Sequence, residues 1–310
     1  MKKIFLLSAF VFFIIACSTE QPVPDADMPL AEHPRPDFER LPWLNLNGYW
    51  QFAPDSLNAG EKENWQDRPE TFASRILVPF SWASPMSGIE LPKVNVGWYS
   101  RTFRTGSDAG WKGGKIFLIF GASDFHTSVW LNGEYVGEHR GGYVPFEFDI
   151  TPYAKKGSNQ LVVRVEDEEL DSRPSGKQYY GNAKGIWQTV YLEARKDIHI
   201  SSIRFTPDID KAEVKADVSI SSPAPEGVVF RLKGKGNNLA FESGINAGDS
   251  TARFRIPVGE MRLWSLEDPF LYEVTASLSN GGEADSVNTY FGMRKISAVT
   301  IPGKDFKYVA

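Results

Sequence analysis

The sequence predicts an all-β chain of two antiparallel β-sandwich domains in series. Aromatic residues occupy 13% of the 310 positions, beside plentiful Val, Ile and Thr, and such side chains suit a pleated, half-buried surface. Short apolar or alternating runs recur between turn residues, and nothing from Leu41 to Arg195 sustains helical spacing for three turns. A polar junction at Arg195-Lys196-Asp197 separates two such series. The expected boundaries are 41–196 for the first sandwich and 197–296 for the second.

In the first series, Lys115 to Phe120 is a short apolar run closed by Gly121, the pattern of a buried strand. Thr127 to Leu131, Asn132-Gly133 and Glu134 to Gly137 predict a hairpin. Asn-Gly accepts φ > 0 at both central positions of a type I′ turn, which matches the twist of the flanking strands. Leu161 to Val165 and Thr189 to Leu192 are further strands. In the second series, Ala212, Val214, Ala216, Val218 and Ile220 alternate with polar residues, so this strand has one wet face. Val228 to Leu232, Ala252 to Ile256 and Leu271 to Leu278 continue an immunoglobulin-like series without a cysteine pair to staple it.

Composition narrows the function. The formal net charge of -5 leaves no basic footprint for nucleic acid. A single cysteine excludes an internal disulfide and thiol–metal clusters, and His33, His126, His139 and His199 show no ligand spacing. No metal and no cofactor are expected. The Gly-rich stretches lack the strand–helix context and Lys-Ser/Thr ending of a phosphate loop.

The N-terminus reads as an address. Lys2-Lys3 precedes an apolar run from Ile4 to Ile15, about 18 Å as a helix against a bilayer core of about 30 Å. That run suits the h-region of a secretory signal. Ile14-Ile15-Ala16-Cys17 resembles the lipobox of bacterial lipoproteins, which implies lipidation at Cys17 and anchoring on the periplasmic or outer side of a membrane. Residues 1–17 are then the signal, and 18–40, rich in Pro and acidic residues, an extended tether.

Val96-Gly97-Trp98-Tyr99, the run from Val129-Trp130-Leu131-Asn132-Gly133 to Gly141-Gly142-Tyr143-Val144-Pro145-Phe146, and Gly185-Ile186-Trp187-Gln188 resemble the sugar-binding domain of glycoside hydrolase family 2. Phe291-Gly292-Met293-Arg294-Lys295-Ile296 resembles that family's exit from its immunoglobulin-like domain. The resemblance covers about Leu41 to Ile296. It implies a jelly-roll-like, galactose-binding-type sandwich followed by an immunoglobulin-like one. It also implies a retaining exo-β-glycosidase acting on a terminal β-linked sugar of a glycan. In the family, two Glu carboxylates on a TIM barrel break the bond, about 5–5.5 Å apart. A barrel takes about 250 residues. Residues 297–310 would be a stub leading towards it, and the Asn-Glu dipeptide of the family's acid/base does not occur. The chain is therefore expected to be a truncated, non-catalytic front portion whose partner is the missing barrel.

The resemblance also places the loop from Ser172 to Lys184 over the barrel mouth. Lys177, Gln178, Tyr180 and Asn182 become candidates for substrate proximity, with loop packing as the alternative for each. Some family members carry an acidic residue where this chain has Tyr179-Tyr180-Gly181-Asn182. Glu166 to Asp171, the densest carboxylate cluster, is expected as a solvated loop, unable to hold two acids on opposite faces of a sugar. Trp98, Tyr99, Trp130 and Trp187 are expected in the core, although each could stack on a sugar ring. Trp264, ahead of Asp268-Pro269, is expected as fold architecture, and His126 and His139 as hydrogen-bonded structural residues. The alternative function is a stand-alone, lipid-anchored carbohydrate-binding module. It would present a wet surface where an enzyme fragment presents an apolar one.

Overall fold

The computed structural model describes residues 28–105, 111, 114–167, 183–282, 284–300, 302–303 and 305–309. The strands in chain order are β1 Glu39–Arg40, β2 Trp43–Asn45, β3 Gly48–Pro54, β4 Ser74–Val78 and β5 Val96–Arg104. They continue as β6 Lys115–Phe120, β7 Ser123–Asp124, β8 His126–Leu131, β9 Glu134–Arg140 and β10 Phe146–Asp149. Next come β11 Ser158–Glu166, β12 Gly185–Ile186, β13 Val190–Arg195, β14 Ile200–Asp208 and β15 Glu213–Ile220. The last are β16 Val229–Gly234, β17 Ala240–Gly244, β18 Thr251–Pro257, β19 Tyr272–Ser279, β20 Asp285–Phe291, β21 Ala298–Thr300 and β22 Lys307–Val309.

A six-stranded sheet, β4-β3-β5-β11-β8-β9, faces a four-stranded sheet, β10-β6-β13-β2. Side chains of both sheets meet in one core that includes Trp50, Phe52, Trp82, Tyr99, Leu118, Phe120, Val163 and Leu192. Aromatic edges organise its centre: the Phe52 ring lies 5.0 Å from Tyr99 and 5.9 Å from Trp82. The expected hairpin is β8–β9, and Asn132 and Gly133 both take positive φ (56° and 85°) at its tip. Trp98, Tyr99 and Trp130 are buried, whereas Trp187 is half-exposed.

The second sandwich pairs the three-stranded sheet β14-β15-β18 with the five-stranded sheet β1-β20-β19-β16-β17. In β15 the period-two pattern is realised residue by residue, with Val214, Ala216, Val218 and Ile220 turned into the core. Trp264 packs under the guanidinium of Arg294 at 4.5 Å, and its backbone N–H donates to the Met293 carbonyl. The Phe291 to Arg294 segment is thereby held against the loop ahead of Asp268-Pro269. The β21–β22 hairpin follows.

Residues 28–40, expected as the end of an extended tether, are instead packed. Asn45 and Asn47 side chains donate to the carbonyls of Leu30 and Pro29. The His33 ring is buried edge-on against Trp43 at 4.7 Å. β1 then joins the sheet of the second domain, placing Arg40 opposite Val287. Composition hid this because the segment is polar and the partners of Arg40 lie more than a hundred residues away.

Arg40 is the centre of the junction between the sandwiches. Its Nε and Nη2 donate to the two carboxylate oxygens of Asp285 (3.0 and 3.1 Å), Nη1 to Glu193 (3.0 Å) and Nη2 to the carbonyl of Ile200 (2.7 Å). Asp285 also accepts from the Ile200 N–H, and Glu193 accepts from Arg195, which forks onto Glu147. The side chains of Arg40, Glu193 and Asp285 are almost wholly buried. Burial opposes ionisation of Glu193, but neighbouring His33 and the charges of Arg195 and Arg40 outweigh it and hold the carboxyl at about 2.

Candidate functional site

The loop expected near substrate lies between β11 and β12. Lys177, Gln178, Tyr180 and Asn182 lie outside the described residues, as does Cys17. The two roots of the loop are described, and one residue serves both. Asn95 accepts the Asp167 N–H through its carbonyl (2.8 Å) and the Lys184 ammonium through Oδ1 (2.8 Å). Lys184 is wholly buried, its N–H donates to Ser81 Oγ, and its carbonyl accepts from the Trp82 N–H. Asp167 and Lys184 are therefore tied to one frame through Asn95.

Beyond the return, Gly185 and Ile186 pair with Asp124 and Ser123 in the short β7–β12 ribbon. Gly185 has φ +85° and lies against Tyr99 and Trp82, so the chain turns where no side chain fits. The Ile186 N–H donates to Tyr99 Oη, and burial pushes that phenol's pKa up, so it stays neutral. Trp187 Nε1 donates to the Gly142 carbonyl, with its ring edge-on to Tyr143 at 5.8 Å. Phe125, Tyr143 and Val144 are exposed on the neighbouring turns. Around Asp167 and Lys184 the molecule thus offers a buried polar frame with an exposed aromatic border.

Acid chemistry in this region is accounted for by structure. Glu166 ends β11 rather than lying in a solvated loop, because its carboxylate accepts from Arg164 (2.8 Å) and Asn58 (3.2 Å). Asp167 is buried at the loop root, and the rest of that cluster lies outside the described residues. His126 meets Glu138 at 3.0 Å. His139 stacks on Phe146 with ring centroids 4.0 Å apart, and its Nε2 makes no hydrogen bond; burial lowers its pKa. Desolvation outweighs a backbone hydrogen bond at Gly141, which acts the other way. Among the described residues, no three His, Cys, Asp or Glu side chains gather as a metal site.

Sequence reasoning missed Asn95 and Lys184. Neither has a pattern of its own; only the closing of β5, β11 and β12 brings them together.

The chain resembles known proteins along most of its described length. The family model "Glycosyl hydrolases family 2, sugar binding domain" matches residues 44–195, and "Glycosyl hydrolases family 2" matches 198–294. A β-glucuronidase of Paenibacillus borealis is 28% identical over 278 residues, covering 81% of this chain and 45% of the relative. A β-galactosidase of Thermoanaerobacter pseudethanolicus is 32% identical over 198 residues, covering 58% of this chain and 24% of the relative. Among solved structures, a β-glucuronidase of an uncultured Clostridium sp. superposes with a TM-score of 0.65 at 25% identity, covering 84% of this chain and 46% of that one. The chain spans less than half the length of these relatives. With both domain models matched in order, and the two sandwiches and their junction built as described, the chain belongs to glycoside hydrolase family 2.

Proposed function

We propose that this chain supplies the two non-catalytic sandwich domains of a retaining exo-β-glycosidase, with the loop from Ser172 to Lys184 bordering the terminal β-linked sugar. The observation that carries this reading is the frame around the loop roots, where Asn95 and buried Lys184 fix where the loop leaves and returns. Lys177, Gln178, Tyr180 and Asn182 on that loop would read sugar hydroxyls, while a pair of Glu on a barrel would break the bond. Exposed Leu263, Leu266 and Ile296 near the exit of the second sandwich support contact with such a barrel, since an obligate interface resembles a core cut in half. The relatives divide between β-glucuronidases and β-galactosidases, so the reading stops at a terminal β-linked sugar.

The purified chain is expected to show no turnover of p-nitrophenyl β-glucuronide, β-galactoside or β-mannoside. Hydrolysis that survives purification and disappears with one Asp or Glu amide substitution inside either sandwich would refute the assignment. Joined to a barrel, the chain should support hydrolysis of one of these substrates. Lys177→Ala or Asn182→Ala should then lower kcat/KM by about tenfold to a hundredfold, chiefly through KM.

Export and anchoring belong to the same proposal. The apolar run ahead of Cys17 supports a secretory signal ending in a lipidated cysteine. Cys17→Ala is expected to move the protein from the membrane fraction to the soluble fraction, and unchanged membrane retention would count against lipidation.

A further inference from the structure

A cavity of about 910 Å³ lies on the outer face of the six-stranded sheet. Its floor follows from strand parity. His126, Ser128 and Trp130 share one face of β8, opposite Glu166, Arg164 and Val162 of β11. On β9 a bulge opposite Val129 and Trp130 shifts the register, so Tyr135 lines the cavity together with Glu138 and Arg140. Trp130 stacks on Trp98 at 5.4 Å and carries the Tyr135 ring edge-on at 5.6 Å, and Tyr135 remains 49% exposed.

The wall is the segment from Asn58 to Gln66. It is pinned by Asp55, whose carboxylate accepts the N–H groups of Ala59 and Gly60 and the indole N–H of Trp98. At the floor, Arg164 is only 4% exposed; its Nη2 donates to Asn58 and Glu166, while its Nε has no partner. Gln66 Oε1 is a second buried atom without a partner. Arg164 and Gln66 both belong to the lining of this cavity.

Charge narrows the ligand. Three carboxylates (Glu61, Glu138, Glu166) face three cations (Lys62, Arg140, Arg164), so the lining is balanced. His126 holds the exposed Glu138 carboxyl below its usual range, so Glu138 is a standing acceptor at neutral pH. An aromatic platform ringed by amides and balanced charges suits a neutral, hydroxyl-rich chain better than an anion, a cation or an apolar peptide. We propose that this groove is a second, non-catalytic binding site for a neutral oligosaccharide, with one sugar ring on Tyr135 and its hydroxyls on the Asn58, Arg164 and Glu138 side. The site stands on its own residues and does not depend on the reaction assigned to the loop.

Isothermal titration of the full chain with cellopentaose, xylopentaose and mannopentaose, and with pentagalacturonate as the anionic comparison, tests it. At least one neutral pentasaccharide is expected to saturate the protein with a Kd below about 5 mM. Tyr135→Ala, an exposed position, should weaken that binding by about tenfold with unchanged circular dichroism. Asn58→Ala should weaken it by several fold. The proposal falls if no neutral pentasaccharide saturates, if pentagalacturonate binds more tightly than all three, or if both variants bind like the parent.

Discussion

Replacing Arg40 with methionine is expected to lower the stability of the protein by about 3–5 kcal/mol, since removal of one partner leaves buried charges uncompensated. The guanidinium meets two carboxylates and a backbone carbonyl, and the side chains involved are almost wholly buried. The methylenes of methionine fill part of the space but leave Asp285 and Glu193 without the guanidinium that joined them, with the Ile200 N–H still donating to Asp285 and Arg195 to Glu193. Urea unfolding followed by tryptophan fluorescence measures the loss. Combining Arg40→Met with Glu193→Gln and Asp285→Asn should recover part of it, because the stranded charges are then gone. By contrast, Arg231→Ala, which breaks the exposed pair with Glu242, is expected to be nearly neutral. Equal effects of the two Arg substitutions would remove the junction's special place.

The same cluster sets an acid limit. Glu193 has its folded pKa lowered from 4.5 to about 2. A depressed carboxyl contributes stability that is fully present above the unfolded value and is lost as pH falls through the folded value. The window is therefore pH 4.5 down to about 2, and the contribution is on the order of 3 kcal/mol. In Glu193→Gln the loss of stability across that window should flatten. An identical acid profile in parent and variant would assign acid sensitivity elsewhere.

How far this was legible in the sequence differs by element. The β8–β9 hairpin could be read because Asn132-Gly133 is a local demand for positive φ, and β15 because burial of one sheet face writes itself as alternation. Arg40 could not be read, since its carboxylate partners stand 153 and 245 residues away and the surrounding segment is polar. The placement of Trp130 was half legible. Its burial is implied by its strand, but the groove above it depends on a bulge in β9 and on the Asp55 pin, which no local pattern announces. Glu166 was misread for a related reason: the acidic run suggested a loop, yet Arg164 two residues earlier draws its carboxylate onto the sheet face.

Gly185→Ala is expected to cost about 2–5 kcal/mol, the sum of left-handed backbone strain and overpacking. A Cβ at this position would stand 2.1 Å from Tyr99 Oη and 2.5 Å from a ring carbon of Trp82. Neither neighbour can yield easily: both rings are wholly buried, and the Trp82 indole N–H is committed to the Val94 carbonyl. Relief would have to come from the backbone, by displacing β12 from β7. Gly157→Ala is the control, because Gly157 has a comparable φ (+93° against +85°) but nothing within 4 Å of the added carbon. Its cost should be the strain alone, about 1–2 kcal/mol. The difference between the two variants in urea unfolding therefore isolates the clash. If Gly185→Ala and Gly157→Ala prove equally costly, the packing at the loop root is looser than the contacts imply. If they differ as expected, the carbon added at Gly185 meets the buried Tyr99 and Trp82 side chains while the one added at Gly157 meets nothing.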